Sequence, residues 1–337
     1  MTSYFIRRIL LMIPTFLGIT IMVFTITRFV PGGPIERAIA EAQQMAMESG
    51  SSRVDNTQMS KEQLDELKAY YGFDKPVLVS YFDWLLKVLQ WDFGQSTRYY
   101  EPVWDIIKDR FPISIFYGVT TMLLTYLVCL PLGVLKALRH HTFFDNISSV
   151  FVFIGYAIPG FVVGILCIVY FAAKLDWFPI GGFYSDEFDD LSTFGQIKDI
   201  ANHAVLPLIA YMTGSFATTT FIMKNSLLDH LSADYVRTAI AKGVPFNKAV
   251  LTHAFKNSLV PLATHFGNNI SVIVAGSFLI EKVFDIDGFG LLGYESVVQR
   301  DYPVVMGILV ISCLLQLLGN ILSDVCVALV EPRVQFE

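Results

Sequence analysis

Arg237, Lys242, Lys248 and Lys256 fall in one short stretch, DYVRTAIAKGVPFNKAVLTHAFKNSLVPL (residues 234–262), between two apolar segments. Each cation would cost roughly 3 kcal/mol or more at a bilayer centre, so the stretch cannot lie in lipid. The chemistry such groups offer is ion pairing and hydrogen bonding to a partner or an anionic surface. The pattern predicts helix, glycine turn, helix. Ser232 or Asp234 can cap a first helix running through Lys242. Gly243 suits the position after it, where a left-handed backbone costs glycine nothing. Pro245 can start a second helix, from Phe246 to about Val260, that stops before Pro261. Ala239 and Ala241 are small, and Val236 and Ile240 are apolar one turn apart, which makes a face suited to close approach. A helix lying on the bilayer and a helix docked on another protein both fit these residues, and the alanines suit a protein partner better.

Two other groups could line a path through a membrane. Pro159-Gly160 falls midway along an apolar run, where it should kink the helix and free backbone groups for a neighbour or for water. A packing kink is the plainer reading. Asn268 and Asn269 are adjacent polar residues in another apolar run, with Thr213, Ser215, Thr218, Thr219 and Thr220 in the run before it. Hydroxyls in such helices usually bond back to their own backbone. The paired asparagines are better candidates for a cavity wall.

Bond-making chemistry finds no foothold. His140, His141, His203, His230, His253 and His265 do not fall at metal-ligand spacings. Cys129, Cys167, Cys313 and Cys326 sit in apolar runs without a CxxC and read as small hydrophobes. No HExxH, phosphate-binding lysine loop, GxSxG or dinucleotide glycine pattern occurs. The chain is expected to carry no catalytic residue, metal or cofactor of its own. It also lacks a visible buried acid pair of the kind that couples protons to transport, and Arg28 and Asp324 lie near the ends of apolar runs, where they can snorkel or pair.

The elements that must hold these groups are membrane helices. Of 337 residues, 54% are hydrophobic and 16% charged, and the mean hydropathy is +0.53. Six apolar runs are long enough to cross a ~30 Å hydrocarbon layer: Ile9–Val30, Ile113–Leu135, Ile147–Ala173, His203–Met223, Gly267–Phe284 and Pro303–Val330. Arg7 and Arg8 precede the first run as in a signal peptide. The run lacks a small-residue cleavage site and is too long for one, so it reads as a retained helix. The fold class is an all-α polytopic membrane protein of six transmembrane helices. Residues 1–30 form the first helix, 31–112 an outer segment with short helices, and 113–337 helices two to six with an inner loop at 224–266. Within the outer segment, Ser60 and Gln63 have capping spacing, Leu64, Leu67 and Tyr71 share a face, and Gly72 and Pro76 end the helix. PVWDIIKDRFPISI is an amphipathic approach to the second span. Placing Arg7 and Arg8 inside puts Lys136, Arg139, Lys224, Arg333 and the cations of 234–262 inside as well. Residues 174–202 and 281–302, on the other side, are acidic. Both termini are thus expected on the cytoplasmic side, facing anionic lipid, and neither face suggests nucleic acid.

YVRTAIAKG followed by Leu259-Val260-Pro261 resembles the EAA loop of permease subunits in binding-protein-dependent ABC importers, in the form found in the dipeptide and oligopeptide branch. Thr238-Ala239-Ile240 stands where Glu-Ala-Ala would be. RRILLMIPTFLGITIMVFTITRFVPGGP, YGFDKPVLVSYFDWL…DFGQS, EKVFDIDGFGLLGYESVVQRDYPVVMG and the terminal EPRVQF resemble the first of the two permeases of that branch, in order and from end to end. The acidic segment 36–59 resembles the peptide importers that also take up microcin C. The resemblance implies a type I importer permease fold in a bacterial inner membrane. It implies a coupling helix Val236–Lys242, Thr238 included, with Arg237 and Lys242 for polar contacts, Ala239 and Ala241 for close approach and Gly243 for the turn. It implies a second homologous permease, giving a twelve-helix pathway, with a cytoplasmic ATPase that binds ATP and Mg and a periplasmic binding protein that delivers peptide. A self-sufficient carrier or channel is the rival class, and it would need ionisable groups along its path.

Overall fold

The computed structural model describes residues 2–29, 39, 65–66, 68–69, 73–274 and 276–330. The acidic segment 36–59 and the helix expected at 60–72 lie outside the described residues, save Ile39, Asp65, Glu66, Lys68 and Ala69, which are helical. The described residues are overwhelmingly helical, with one isolated antiparallel bridge between Gln95 and Pro102. In chain order the helices are α1 (Thr2–Phe29), α2 (Val77–Leu89), α3 (Val103–Leu138), α4 (Phe143–Ala157) and α5 (Gly160–Cys167), which continues as a π-helical turn over Ile168–Lys174. There follow α6 (Thr193–Leu231), α7 (Asp234–Ala241), α8 (Phe246–Ala249) with a π turn over Val250–Phe255, and α9 (Lys256–Ser258). The last are α10 (Val260–Val274), α11 (Phe278–Val283), α12 (Phe289–Val298) and α13 (Tyr302–Val330).

Among the described residues, α1, α3, α6 and α13 are each long and apolar enough to cross a membrane, and α4 with α5 and its π-helical turn are together long and apolar enough for a fifth span, bent by 96°, or for a re-entrant loop. The bend falls at Ile158-Pro159, as the sequence predicts, because proline cannot continue the hydrogen-bond ladder of α4. The amphipathic approach and the second span are one helix. At 36 and 39 residues, α3 and α6 are about 54 and 58 Å long, well beyond the apolar layer, so both carry helical structure past it.

The fifth expected run, Gly267–Phe284, is not one helix. Its helix begins at Val260, because Pro261 in the first turn has no intrahelical donor to lose. It ends at Val274, and Gly276, with φ +76°, turns the chain before α11. Pro261 therefore opens a helix rather than closing one. The helix expected from Phe246 to Val260 is present as α8, a π turn and α9, ending at Ser258.

The chain divides into two compact units. One comprises residues 1–9, 110–292 and 315–337, and the other residues 10–109 and 293–314. The first unit has two apolar cores. Tyr117, Leu206, Leu208, Ile280, Phe284 and Ile286 build one, and Met223, Leu227, Val236, Ala249, Val250 and Leu262 the other. In the second unit Phe24, Tyr81 and Leu85 join α1 to α2, and the buried carboxylate of Asp301 accepts hydrogen bonds from the Ser96 hydroxyl (2.5 Å) and the Thr97 N–H (3.2 Å). Of the residues read as polar but near span ends, Asp324 pairs with Arg8 at 2.6 Å, and Arg28 packs its guanidinium over the Phe73 ring. Cys129, Cys167 and Cys313 are free and buried among apolar neighbours.

Candidate functional site

The hairpin at 234–262 is built as helix and glycine turn. Its cap differs from the sequence expectation. Ala233 holds the N-cap position without a side-chain bond, Ser232 donates to the Asp229 carbonyl, and Asp234 stands in the first turn, where its charge suits the helix dipole. Gly243 has φ +88°. Its N–H donates to the Ile240 carbonyl (2.9 Å) and the Val244 N–H to the Ala239 carbonyl (3.1 Å), the two bonds of a Schellman turn. Arg237, Thr238, Ala241 and Lys242 are exposed on α7 and share one face. Ala239 is half-buried. Val236, expected on the docking face, is 1% exposed and anchors α7 in the second core instead. Tyr235 completes the joint: its hydroxyl lies 2.8 Å from His230 Nδ1 at the end of α6 and accepts from the Asn257 amide at 3.2 Å. Nothing in the local pattern marked Tyr235 for that task.

A cavity of about 450 Å³ lies among α5, α6, α10 and α11. Gly160 and Asn269, two of the path candidates, both line it. Pro159 is the residue before the wall, at the bend, and the side chain of Asn268 lies outside the described residues. From α6 come Tyr211, Gly214, Ser215, Thr218 and Thr219, and from the other side His265 and Ser277. Thr213 and Thr220 instead donate to Ile209 and Phe216 carbonyls on their own helix. Gly160 is there for proximity: a Cβ on it would meet the Ala210 carbonyl at 2.6 Å, so α5 and α6 could not approach as they do. At Gly214 a Cβ would meet nothing within 4 Å. Tyr211 and His265 were not singled out by sequence. Their only signal is helical spacing from Thr218 and Asn269.

Beyond the cavity along α6 sits a buried ion cluster that the sequence assigns to loops. Lys224 donates to both carboxylate oxygens of Asp145, at 2.7 and 2.8 Å, and Lys136 reaches Asp145 Oδ1 at 3.1 Å. Lys136 is fully buried, and its ammonium also donates to the Asp145 carbonyl and to the Ser148 and Ser149 hydroxyls. His140 Nδ1 lies 3.2 Å from Asp145 Oδ2. These cations belong to the packed interior of α3, α4 and α6 and are no part of a solvated inner loop.

Glu281 is likewise 1% exposed rather than part of an acidic outer surface. Its Oε2 accepts the Leu291 N–H at 2.6 Å, capping α12, and its Oε1 accepts the Tyr211 hydroxyl at 3.2 Å. Glu281 thus fixes the cavity wall at Tyr211 to the start of α12.

A helical membrane chain with a turn-capped exposed hairpin, joined by one continuous helix to a largely apolar cavity that carries a few polar groups, has the architecture of a transport subunit. Its residues 129–336 match the binding-protein-dependent transport system inner membrane component family, and the chain belongs to that family. It is 38% identical to the peptidoglycan transport system permease protein YejB of Agrobacterium fabrum, over 100% of this chain and 99% of that one. It is 40% identical to the inner membrane ABC transporter permease protein YejB of Escherichia coli O157:H7, over the whole of both chains. It is 35% identical to the oligopeptide transport system permease protein AppB of Bacillus subtilis, again over the whole of both.

Proposed function

We propose that this chain is one of two permease subunits of an ATP-driven peptide importer in a bacterial inner membrane, with both termini in the cytoplasm. The observation that carries the reading is the continuity of α6. One helix supplies the cavity wall from Tyr211 to Ile222, the ion-cluster Lys224 five residues past Thr219, and the His230 joint to α7. A push on α7 is delivered along that rod to the cavity. The exposed Arg237, Thr238, Ala241 and Lys242 dock on a cytoplasmic ATPase, which binds ATP and Mg. Ala239 lets the helix lie close, and Gly243 sets the turn, while Val236 works inward. A periplasmic binding protein delivers peptide to a pathway of which Pro159, Gly160, Asn268 and Asn269 form part. The broken α10–α11 element makes the sixth crossing, in addition to the four long helices and the bent pair, as in a type I importer permease. Peptide as cargo follows the names of the relatives, and the narrower assignment to peptide and microcin C uptake rests on the acidic segment 36–59.

Reconstitution with the second permease, the ATPase and the binding protein tests the reading. A labelled short peptide is expected to accumulate in proteoliposomes only with ATP and all components present. Equal uptake without ATP would overturn it.

A further inference from the structure

Helix α2, VLVSYFDWLLKVL, belongs to the segment expected outside the membrane, yet it is apolar around most of its circumference. Tyr81, Leu85 and Val88 are buried. The Tyr81 hydroxyl lies 3.0 Å from Thr20 Oγ1 on α1, the Tyr81 and Trp84 rings each lie 5.6 Å from the Phe24 ring, and Phe16 packs on the same cluster. These contacts set its depth. Arg28 donates to the Lys75 carbonyl just before α2, while Tyr81 meets Thr20, eight residues and about 12 Å further back along α1. The middle of α2 therefore lies alongside the membrane-crossing part of α1.

A second face of α2, next to the one packed on α1, is exposed. Leu78 is 72% exposed, Phe82 59%, Leu86 57% and Leu89 62%. They fall at i, i+4, i+8 and i+11, a single stripe. Asp83, Lys87 and Gln90 occupy a narrow neighbouring arc, with Lys75 paired to Asp83 at 2.6 Å. Like the stripe, the exposed apolar side chains of α1, such as Leu17, Ile21 and Met22, are large and uncovered, and in a crossing helix they must face hydrocarbon.

We infer that α2 is a lipid-binding helix sunk into the leaflet at the Phe29 end of α1, its Leu78–Phe82–Leu86–Leu89 stripe against acyl chains and its Asp83–Lys87–Gln90 arc at the headgroups. Large apolar side chains on one arc and charges on a narrow one are the distribution that an interfacial helix needs. Lys87, with its long apolar stem, can lift its ammonium to the headgroup level. The helix braces α1 laterally and ties the extramembrane segment to the bilayer surface.

The test uses the complete transporter in proteoliposomes, with its four native cysteines replaced and a nitroxide placed at Leu86→Cys, at Phe82→Cys, or at Lys87→Cys as the polar control. Collision rates with oxygen and with a water-soluble nickel chelate are read by electron paramagnetic resonance. The oxygen-to-nickel ratio is expected to be severalfold higher at positions 82 and 86 than at 87. Equal nickel access at 86 and 87 would place α2 in water and overturn the inference. Shielding of 86 from both reagents would overturn it in favour of a protein partner on the stripe. If a labelled variant fails to assemble, Leu78→Cys and Leu89→Cys report on the same stripe.

Discussion

Lys224 on α6 grips both oxygens of Asp145 on α4, and Lys136 on α3 shares the same carboxylate, all inside the protein. One anion thus compensates two buried ammonium groups and joins three helices at the point where α6 leaves the cavity wall for the hairpin. Lys136 also has three other acceptors, whereas among the described residues both hydrogen bonds of the Lys224 ammonium go to Asp145. Removing the carboxylate leaves two uncompensated charges. Asp145→Asn is expected to destabilise the protein by about 3–5 kcal/mol. Lys224→Met should cost less, because Asp145 keeps Lys136. Thermal unfolding of the purified complex in detergent measures both, and an Asp145→Asn variant as stable as the parent would show that the cluster does not join these helices.

Val236 and Arg237 are sequence neighbours with opposite tasks. Val236→Ala removes buried methyl groups and should lower stability by about 2 kcal/mol. Arg237→Glu is exposed and should leave the melting temperature within experimental error while lowering peptide-stimulated ATP hydrolysis severalfold. Melting curves and phosphate release on the same preparations separate the two. A destabilised Arg237→Glu with normal coupling would reverse the assignment.

Gly214 faces open space in the cavity, so a side chain there fills the void without displacing a helix. Gly214→Leu is expected to assemble and bind ATPase normally but to slow peptide uptake severalfold. Gly160→Leu, by contrast, collides with the Ala210 carbonyl and should impair folding. Normal uptake by Gly214→Leu would remove this cavity from the pathway.

Four long apolar helices, the bend at Pro159 and the Gly243 turn were legible because long apolar runs, proline and glycine act locally. The ion cluster was not. Lys136 and Lys224 read as loop cations because apolar counting ends a span at its first charge, while α3 and α6 continue as buried helix beyond it. Glu281 misled in the same way: its burial depends on Leu291, ten residues on, and on Tyr211, seventy residues back. Val236 was read outward because an eight-residue helix shows too few turns to tell its inner face from its outer one. Pro261 was read as a stop because the first turn of a helix and the residue after one both favour proline.

The most direct test of the coupling claim is co-purification in gentle detergent of the tagged chain expressed with its native neighbours, comparing the parent with Gly243→Arg. At φ +88° a side chain costs roughly 1–2 kcal/mol locally and redirects the turn, while the surrounding space is open, so the variant should still insert and fold. An ATPase is expected to co-purify with the parent and to be lost with Gly243→Arg. An equal yield of ATPase from both, with unimpaired peptide uptake, would contradict the assignment of α7 and its turn as the coupling element.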